Sequence, residues 1–332
     1  MPERYNFMTK STSVAPAPGM PAAWLAFLHD ATGGDTEFQR YIHQICGYCL
    51  TGDVSEHALF FIYGPGGNGK SVFLNTVTNI FGDFAKTAPV DIFLSGKGDR
   101  HPTELAMLRG ARLVAVSETE EGRPWKENLI KQLTGGDKLT ARFMRQDFFT
   151  YAPQFKLVII GNHKPRLRNV DEAMRRRIHI LPFTQTPANP DKHLEEKLRA
   201  EYPQILNWMI DGAKNWQANG FHVPAVVRNA TDEYFAAQDL FGQWLGENCD
   251  TVPGNSTAAT MLFNNWKDYA ERRGEHPGNV TTFADNLTKR GFEKRKTSSA
   301  NVYDGLSLKN NNPTIPAMTG GVGALALNTT GA

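Results

Sequence analysis

The sequence predicts an α/β fold with a doubly wound parallel sheet, flanked by two smaller modules. Between residues 58 and 183, four short and almost continuously apolar runs alternate with helical segments. This pattern is typical of parallel strands that helices cover on both faces. The chain has 332 residues, 40% of them hydrophobic, which is enough for one large domain and a smaller one.

The N-terminal part of the chain is predicted to contain a tail and a helical module. Residues 1–20 are polar and rich in Pro, Ala and Ser, and we expect a disordered tail because they offer little to bury. Residues 21–57 are the predicted helical module. Its two helices are Ala22–Ala31 and Asp35–Leu50, and Asp35 is the expected N-cap of the second.

Residues 58–190 are the predicted core. Its strands are Ala58–Tyr63, Arg112–Ser117, Phe155–Ile160 and Ile178–Phe183. A helix, Ser71–Phe81, is expected to follow the first strand directly. Because strand, helix and strand alternate here, we expect the strands to be parallel.

The C-terminal part is predicted to be a helical connector, a small domain and a second tail. Residues 191–231 are the connector, 232–309 the domain and 310–332 a disordered tail rich in Gly, Ala and Thr. The elements expected in the domain are the helices Asp232–Glu247, Ala258–Arg273 and Thr282–Arg290, and a hairpin within Phe292–Leu308. Two helices followed by a hairpin predict a winged-helix-like, DNA-binding domain. The alternative is that its basic residues only keep a small domain soluble.

Composition excludes several classes of protein. Lys and Arg total 36 against 34 Asp and Glu, so a histone-like protein is excluded and any nucleic-acid binding must come from local clusters. No apolar run approaches the ~20 residues of a membrane span, so no membrane partner is expected. Three cysteines and no secretory signal favour the cytoplasm, which is the host cytoplasm if a phage encodes the chain.

Cys46 and Cys49 form a C-x-x-C pair, for which zinc or redox chemistry must be considered. The pair lies within the predicted helix Asp35–Leu50, where apolar residues recur at helical spacing. We therefore interpret both cysteines as small buried hydrophobic residues.

The motif G-x-x-x-x-G-K-S lies between the first predicted strand and its helix. Its residues are Gly64, Pro65, Gly66, Gly67, Asn68, Gly69, Lys70 and Ser71, and Val72 follows. Glycines let backbone N–H groups approach phosphates, the helix N-terminus favours negative charge, the lysine contacts the β- and γ-phosphates and the hydroxyl binds Mg²⁺. The sequence therefore predicts a site for ATP and Mg²⁺, in preference to a plain glycine-rich turn.

Polar residues follow two other predicted strands. Glu118 ends the run Arg112–Ser117 and is the expected base for the attacking water and, with Ser71, a neighbour of Mg²⁺. An exposed acidic turn is the alternative. Asn162 follows the strand Phe155–Ile160 and is expected to position the water, although Asn also commonly starts a turn.

An arginine-rich segment covers residues 163–180. It carries six basic residues against two acidic ones. A solvated helix face is one interpretation. The other is an arginine finger that stabilises γ-phosphate charge in a neighbouring subunit, which requires an oligomer.

The chain resembles the superfamily 3 helicase domain in seven ordered motifs. These are Gly-Pro-Gly-Gly-Asn-Gly-Lys-Ser at 64–71, Val-Ser-Glu-Thr-Glu-Glu-Gly at 116–122, Lys-Gln-Leu-Thr-Gly-Gly-Asp at 131–137, Ala-Arg at 141–142, Phe-Lys-Leu at 155–157, Gly-Asn-His-Lys-Pro at 161–165 and Arg-Arg-Ile-His-Ile-Leu-Pro-Phe at 176–183. It is most similar to the phage and plasmid primase-helicases and the poxvirus-type nucleoside triphosphatases. The resemblance implies an AAA+-like P-loop core, a ring that is usually a hexamer, Mg²⁺-dependent ATP hydrolysis between subunits and 3′-to-5′ movement on single-stranded DNA.

The resemblance also assigns roles to residues. It implies that Lys70 and Ser71 are the Walker A pair, Glu118 the Walker B glutamate and Asn162 the polar sensor. Arg177 is the best match to the finger arginine, followed by Arg176. Ser117 stands where the general helicase pattern has an acidic residue, which leaves the outer ligands of the metal open.

The segment Lys131–Tyr151 resembles the part of this superfamily that forms a hairpin in the ring channel. Leu139–Phe143 and Phe148–Tyr151 are its expected arms, with 144–147 at the tip. The predicted DNA-binding residues are Lys138, Arg142, Phe143 and Arg145. Basic groups beside an aromatic ring suit a single strand, with charge on the phosphates and stacking on a base. An ordinary charged surface hairpin is the alternative.

These observations predict a ring-forming, ATP-dependent DNA helicase in phage or plasmid replication. Its expected partners are single-stranded and forked DNA, other copies of the chain, and a primase or replication initiator. An AAA+ ATPase that loads or remodels protein on DNA without unwinding is the main alternative. A P-loop nucleotide kinase would not need the arginine segment, and a purely DNA-binding protein would not need the glycine motif. Too few residues precede Ala22 for a primase domain, so priming is not expected in this chain.

Overall fold

A five-stranded parallel sheet forms the centre of the first of two units. The computed structural model describes residues 9–95, 102–117, 122–167, 170–298 and 300–309. It divides into Met1–Gln238 and Asp239–Ala332. The strands of the first unit are β1 (Leu59–Tyr63), β2 (Ala85–Thr87), β3 (Leu113–Ser117), β4 (Leu139–Ala141), β5 (Phe149–Tyr151), β6 (Lys156–Gly161) and β7 (Ile178–Pro182). The sheet order is β2-β3-β6-β1-β7, and β4 pairs with β5 separately.

The predicted parallel core is confirmed. All four expected strands form, each within one residue of its predicted ends, and every neighbouring pair in the sheet is parallel. Side chains alternate between two apolar layers, so Phe60 and Ile62 pack on one face of β1 while Leu59 and Phe61 pack on the other. The edge strand β2 was not predicted, because three residues are too few to give a pattern.

Nine helices are described in the first unit. They are α1 (Ala22–Ala31), α2 (Thr36–Leu50), α3 (Lys70–Phe81), α4 (Pro102–Ala106), α5 (Glu127–Thr134), α6 (Glu172–Arg175), α7 (Leu194–Ala200), α8 (Tyr202–Asn219) and α9 (Ala225–Gln238). Asp35 is the N-cap of α2, since its Oδ1 accepts a hydrogen bond from the Phe38 amide at 2.9 Å. Helix α2 packs closely on α8, because a Cβ on Gly47 would lie 2.0 Å from the Ala213 amide nitrogen.

Helix α2 also buries the two cysteines of the C-x-x-C pair. Cys46 and Cys49 are each 2% exposed and contribute to the apolar layer between the helical module and the sheet. Burial raises the pKa of the Cys46 thiol well above its usual value and that of Cys49 to about 12. Both thiols are therefore protonated and packed, as expected of small hydrophobic residues.

The predicted disordered tail at 1–20 is wrong for residues 9–20. This segment lies along the first unit, where the Ser13 amide donates to the Ile80 carbonyl at 3.0 Å and the Ala17 amide donates to the Pro203 carbonyl at 3.0 Å. Val14 also packs against the core. The segment is ordered because it satisfies carbonyl groups at the end of α3 and the start of α8, which composition alone does not reveal. Residues 1–8 and 310–332 lie outside the described residues.

The second unit, as far as the structure describes it, contains three helices and a small antiparallel sheet. Its elements are α10 (Leu240–Asn248), β8 (Cys249–Ala258), α11 (Ala259–Arg272), α12 (Val280–Lys289), β9 (Lys294–Lys296) and β10 (Asn301–Leu308). The sheet order is β8-β10-β9, with both pairs antiparallel. The unit has its own aromatic core, which includes Phe241, Trp244, Trp266 and Phe283.

One prediction for this region is wrong, and one strand was not predicted. The helix expected at Asp232–Glu247 is two helices, because Asp239 ends α9 and caps α10 by accepting from the Gly242 amide at 2.9 Å. Strand β8 was not predicted, since its residues are mostly exposed and give no apolar pattern. The hairpin expected within Phe292–Leu308 is present as β9 and β10.

Among the described helices, none combines the length and the hydropathy that a membrane-spanning helix needs.

Candidate nucleotide site and basic hairpin

The glycine-rich loop, residues 64–71, leaves the carboxyl end of β1, an interior strand of the sheet. Both neighbours of β1 in the sheet, β6 and β7, come from much later in the chain. When the order of strands in a parallel sheet departs from their order in the chain in this way, a crevice opens at the carboxyl edge of the sheet. Ligands commonly bind in such a crevice. Helix α3 begins at Lys70, so its N-terminus and free backbone N–H groups lie at this edge.

Three glycines of the loop are required by its geometry. Gly67 and Gly69 have φ values of 78° and 81°, a region that side chains other than glycine rarely occupy. A Cβ on Gly64 would lie 1.8 Å from the Phe183 carbonyl oxygen. A Cβ on Gly69 would lie 2.7 Å from the ring of Phe27, so α1 supports the loop from outside the sheet.

Lys70 is held inside the loop by three oxygen atoms. Its Nζ donates to the carbonyl oxygens of Gly64 at 2.7 Å and Pro65 at 2.8 Å, and to Asn68 Oδ1 at 2.8 Å. The residue is only 7% exposed, and burial lowers the pKa of its ammonium group. A buried cation surrounded by exchangeable oxygen acceptors is suited to bind the oxygens of a phosphate chain.

Asn68 connects this arrangement to the end of β7. Its side-chain amide donates to the Phe183 carbonyl while its oxygen accepts from Lys70. Phe183 is itself fixed, because its amide donates to the Tyr63 carbonyl at 2.7 Å. Asn68 was predicted only as a member of the motif, and the structure adds that it positions Lys70.

The carboxyl ends of three strands meet beside the loop. The strand register pairs Tyr63 with Gly161 and Ser117 with Ile160, and the Gly64 amide donates to the Gly161 carbonyl at 3.4 Å. Asn162 directly follows Gly161 and is exposed. The structure therefore brings the loop, Ser117 and Asn162 to one edge of the sheet. Glu118, the predicted base and metal neighbour, lies outside the described residues.

The residues present at this edge suit ATP with Mg²⁺. Ser71, the hydroxyl residue predicted to bind Mg²⁺, is in the first turn of α3 and is exposed, and Val72 is half-buried behind it. The helix N-terminus supplies free backbone N–H groups, and Lys70 supplies the positive charge. Lys164, which the sequence identified only as part of the arginine-rich segment and of the motif at 161–165, has its Nζ 4.4 Å from the centre of the Tyr63 ring at the end of β1.

Arg177 does not have the exposure that an arginine finger requires. It is 7% exposed, its Nε donates to Thr134 Oγ1 at 3.1 Å, and its Nη1 donates to the Ala173 carbonyl at 2.7 Å. These bonds tie α5 to α6 within one chain and occupy the guanidinium of Arg177, so the structure does not favour Arg177 as the finger, whose assignment stays a prediction. Arg176 is exposed. Arg175 forms a 2.6 Å ion pair with Asp232.

The predicted hairpin is present as β4 and β5. Leu139 pairs with Tyr151 and Ala141 with Phe149 in antiparallel register. Lys138, Arg142, Phe143 and Arg145 are all exposed, as single-strand binding would require. The arms are shorter than expected, so Arg142, Phe143 and Phe148 belong to the connecting segment rather than to the strands.

Comparisons with known proteins relate this chain to viral proteins named as helicases. Residues 62–177 match the model of a family of unknown function, DUF5906. "Putative helicase L207/L206" of Acanthamoeba polyphaga mimivirus is 26% identical over 261 residues, which is 71% of this chain and 27% of that protein. "Putative helicase 184R" of Invertebrate iridescent virus 6 is 35% identical over 247 residues, which is 63% of this chain and 25% of that protein. The chain thus spans about a quarter of the length of these relatives.

The fold is also similar to solved structures. The apo structure of the NrS-1 C-terminal region superposes with a TM-score of 0.55 at 12% sequence identity, covering 88% of this chain and 76% of that one. At this identity the similarity concerns the fold alone. It agrees with a mixed α/β structure built on a parallel central sheet.

Proposed function

We propose that this chain is the motor region of a ring-forming, ATP-dependent DNA helicase of superfamily 3 that acts in phage or plasmid DNA replication. The observation that carries the proposal is the glycine-rich loop at the carboxyl end of β1, with Lys70 buried among exchangeable oxygens. Similarity to viral proteins named as helicases supports the same function. An AAA+-like P-loop core and a cytoplasmic site of action are parts of this proposal.

ATP binds with its phosphates in the loop and at the N-terminus of α3. Lys70 then exchanges the Gly64 and Pro65 carbonyls for β- and γ-phosphate oxygens. Ser71 and Glu118 would hold Mg²⁺, which would neutralise phosphate charge when bound. Binding of nucleotide thus replaces the contacts that Lys70 makes within the loop.

Hydrolysis requires a water in line with the γ-phosphate. Glu118 accepts a proton from this water, and the Asn162 amide holds the water in place. Water attacks the γ-phosphorus, the bond to the bridging oxygen breaks and ADP leaves. The hydrogen bond between the Gly64 amide and the Gly161 carbonyl supports this assignment, because it holds the chain that leads to Asn162 against the loop.

The finger arginine of the proposed ring is Arg176. It is exposed, and the buried Arg177 beside it anchors the short helix α6 to α5. An exposed guanidinium on a fixed turn can reach a phosphate bound by the next subunit. Hydrolysis would therefore take place between subunits of a homo-oligomer, most simply a hexamer.

The hairpin of β4 and β5 is the proposed contact with single-stranded DNA. Lys138, Arg142 and Arg145 bind phosphates, and an aromatic ring stacks on a base. A ring of such hairpins would concentrate positive charge in one channel, although the whole chain has a net charge of only +2. Movement from 3′ to 5′ on the tracking strand follows the family resemblance.

The second unit is the proposed winged-helix-like DNA-binding domain. Helices α11 and α12 precede the β9–β10 hairpin, and α12 has Asn279 as its N-cap. Two of its basic groups are partly neutralised, because Arg290 pairs with Asp239 at 2.6 Å and Arg295 pairs with Asp304 at 2.7 Å. The exposed residues Lys289, Lys294 and Lys296 remain for contact with DNA. A primase or replication initiator is a further proposed partner.

A second candidate function is an AAA+ ATPase that loads or remodels protein on DNA without unwinding. The same nucleotide site would serve both activities. Strand displacement on a forked duplex with a 3′ tail separates them. We expect ATP-dependent displacement by the wild-type protein and none by Lys70→Ala. ATP hydrolysis that DNA stimulates without any displacement would contradict the helicase proposal and favour the remodelling ATPase.

A further inference from the structure

The connecting segment of the β4–β5 hairpin carries two aromatic rings in different surroundings. Phe143 is 38% exposed and Phe148 is 58% exposed. The sequence singled out Phe143, because it stands between two arginines. The structure shows which of the two rings packs against another aromatic ring of the protein.

Phe143 belongs to a packed column of aromatic rings on one side of the hairpin. Its ring stacks on Phe149 with centroids 5.4 Å apart and 28° between the planes. The Arg109 guanidinium lies 4.9 Å from the centre of the Phe149 ring, and Phe149 also contacts Tyr151. The Tyr151 hydroxyl donates to the Leu105 carbonyl at 2.6 Å, which ties the column to α4. One face of Phe143 is therefore covered by Phe149, and Phe143 is the less exposed of the two rings.

Phe148 lies outside this column. The Arg142 guanidinium lies 4.8 Å from the centre of its ring. Within the described part of the chain, no other aromatic ring packs on Phe148. A cation on one ring face and wide exposure leave the opposite face able to accept a flat partner.

The charges around Phe148 favour a polyanion. The segment 138–151 carries Lys138, Arg142 and Arg145 against one carboxylate, Asp147. Arg145 lies at the tip with a φ of 60°, and its side chain is exposed. Contact with the Phe148 ring restrains the Arg142 guanidinium, so less side-chain entropy is lost when it binds a phosphate. Basic groups around an open aromatic face are the chemistry that binds single-stranded nucleic acid.

We infer that Phe148, and not Phe143, is the ring on which this hairpin stacks a base of single-stranded DNA, with Arg142 packed on the ring's other face and bound to an adjacent phosphate. This inference rests on the proposed function and specifies the contact within it. Every base offers a π face, and Phe148 has no hydrogen-bonding group for a base edge. The contact is therefore tolerant of sequence, as movement along a strand requires.

Fluorescence anisotropy with two probes of equal length tests the inference. One probe is a fluorescein-labelled oligothymidylate, and the other carries abasic sites on the same sugar-phosphate backbone. We expect the wild-type protein to bind the first at least about fivefold more tightly, since stacking contributes ~1–3 kcal/mol per base. Phe148→Ala should bind both probes equally, and Phe148→Tyr should retain the preference because it keeps the ring.

Phosphate contacts provide an internal control. The salt dependence of binding by Phe148→Ala should match that of the wild type, because the basic residues remain. Circular dichroism and thermal melting of each variant check that the hairpin change leaves the fold intact. Arg142→Ala should weaken binding to both probes and lower the salt dependence.

Three outcomes would overturn parts of the account separately. If Phe148→Ala keeps the preference for bases while Phe143→Ala loses it with an unchanged melting curve, Phe143 is the stacking ring and the inference is wrong. If Phe148→Ala changes self-association in sedimentation but not DNA affinity, the ring belongs to a contact between copies, and the inference again fails. If the wild-type protein binds neither probe, the proposed function itself fails.

Discussion

Replacing Gly64 with alanine should damage the nucleotide loop before any nucleotide binds. The added Cβ would lie 1.8 Å from the Phe183 carbonyl oxygen and 2.2 Å from the Asn68 side-chain nitrogen. Carbon and oxygen atoms that are not bonded need about 3 Å or more, so the backbone must move by about 1.2 Å. The backbone of Phe183 cannot move easily, because its amide donates to the Tyr63 carbonyl and its carbonyl accepts from the Asn68 side-chain amide.

The size of the effect follows from overpacking. Extra atoms that force backbone shifts in a packed region cost ~1–3 kcal/mol. For a unit of 150–250 residues, each kcal/mol lowers the melting temperature by about 2–4 °C. We therefore expect the first unit of Gly64→Ala to melt about 2–12 °C below wild type in the absence of nucleotide. The displaced loop should also lose affinity for ATP.

Gly66→Ala is the matched control in the same loop. A Cβ on Gly66 would have no atom within 4 Å, and its φ is not positive. This substitution should change the free energy of unfolding by less than about 0.5 kcal/mol. Thermal unfolding followed by calorimetry compares the two variants. Equal melting temperatures for Gly64→Ala and wild type would refute the packing argument.

Two further predictions concern the arginine pair and a buried lysine. Arg176→Ala should lower ATP turnover without changing thermal stability, and mixing it with Lys70→Ala subunits should restore part of the turnover. Arg177→Ala should instead lower the free energy of unfolding by ~1–3 kcal/mol, because it breaks one buried and one partly buried hydrogen bond. Normal stability with lost turnover would reverse the two roles. Burial lowers the pKa of Lys156 to about 8, below its usual ~10.4, so between these values the unfolded chain binds more protons and stability rises with pH. Urea unfolding of wild type relative to Lys156→Met should therefore show a gain of at most ~1.4 kcal/mol per pH unit above pH 8, and a flat difference would contradict it.

Much of the core could be predicted because its signals are local. Near-continuous apolar runs predicted the strands β1, β3, β6 and β7 within one residue. The motif between β1 and α3 also predicted which loop would lie at the sheet edge. These patterns are strong because a strand buried on both faces tolerates few polar residues.

What sequence reasoning missed depends on contacts that are distant in the chain. Residues 9–20 have the composition of a tail but find backbone partners at Ile80 and Pro203. The break between α9 and α10 at Asp239 could not be predicted, because an aspartate inside a helical pattern does not by itself identify an N-cap. Arg176 and Arg177 look equivalent in sequence, and only folding shows that Thr134 and Ala173 bind one of them.

In the β4–β5 hairpin, sequence could not show which aromatic ring the surrounding side chains cover. Sequence predicted its position, its basic residues and Phe143 as the aromatic contact, and the structure adds a second exposed ring, Phe148. Which ring stays open depends on Phe149, Arg109 and α4, which pack on one side of the hairpin.

The most direct test of the central claim is ATP hydrolysis by the purified chain with and without single-stranded DNA. We expect Mg²⁺-dependent turnover that single-stranded DNA stimulates, and its complete loss in a Lys70→Ala protein whose circular dichroism spectrum shows that the fold is retained. Turnover that persists in a folded Lys70→Ala protein would contradict the assignment of the loop at residues 64–71 as the nucleotide site.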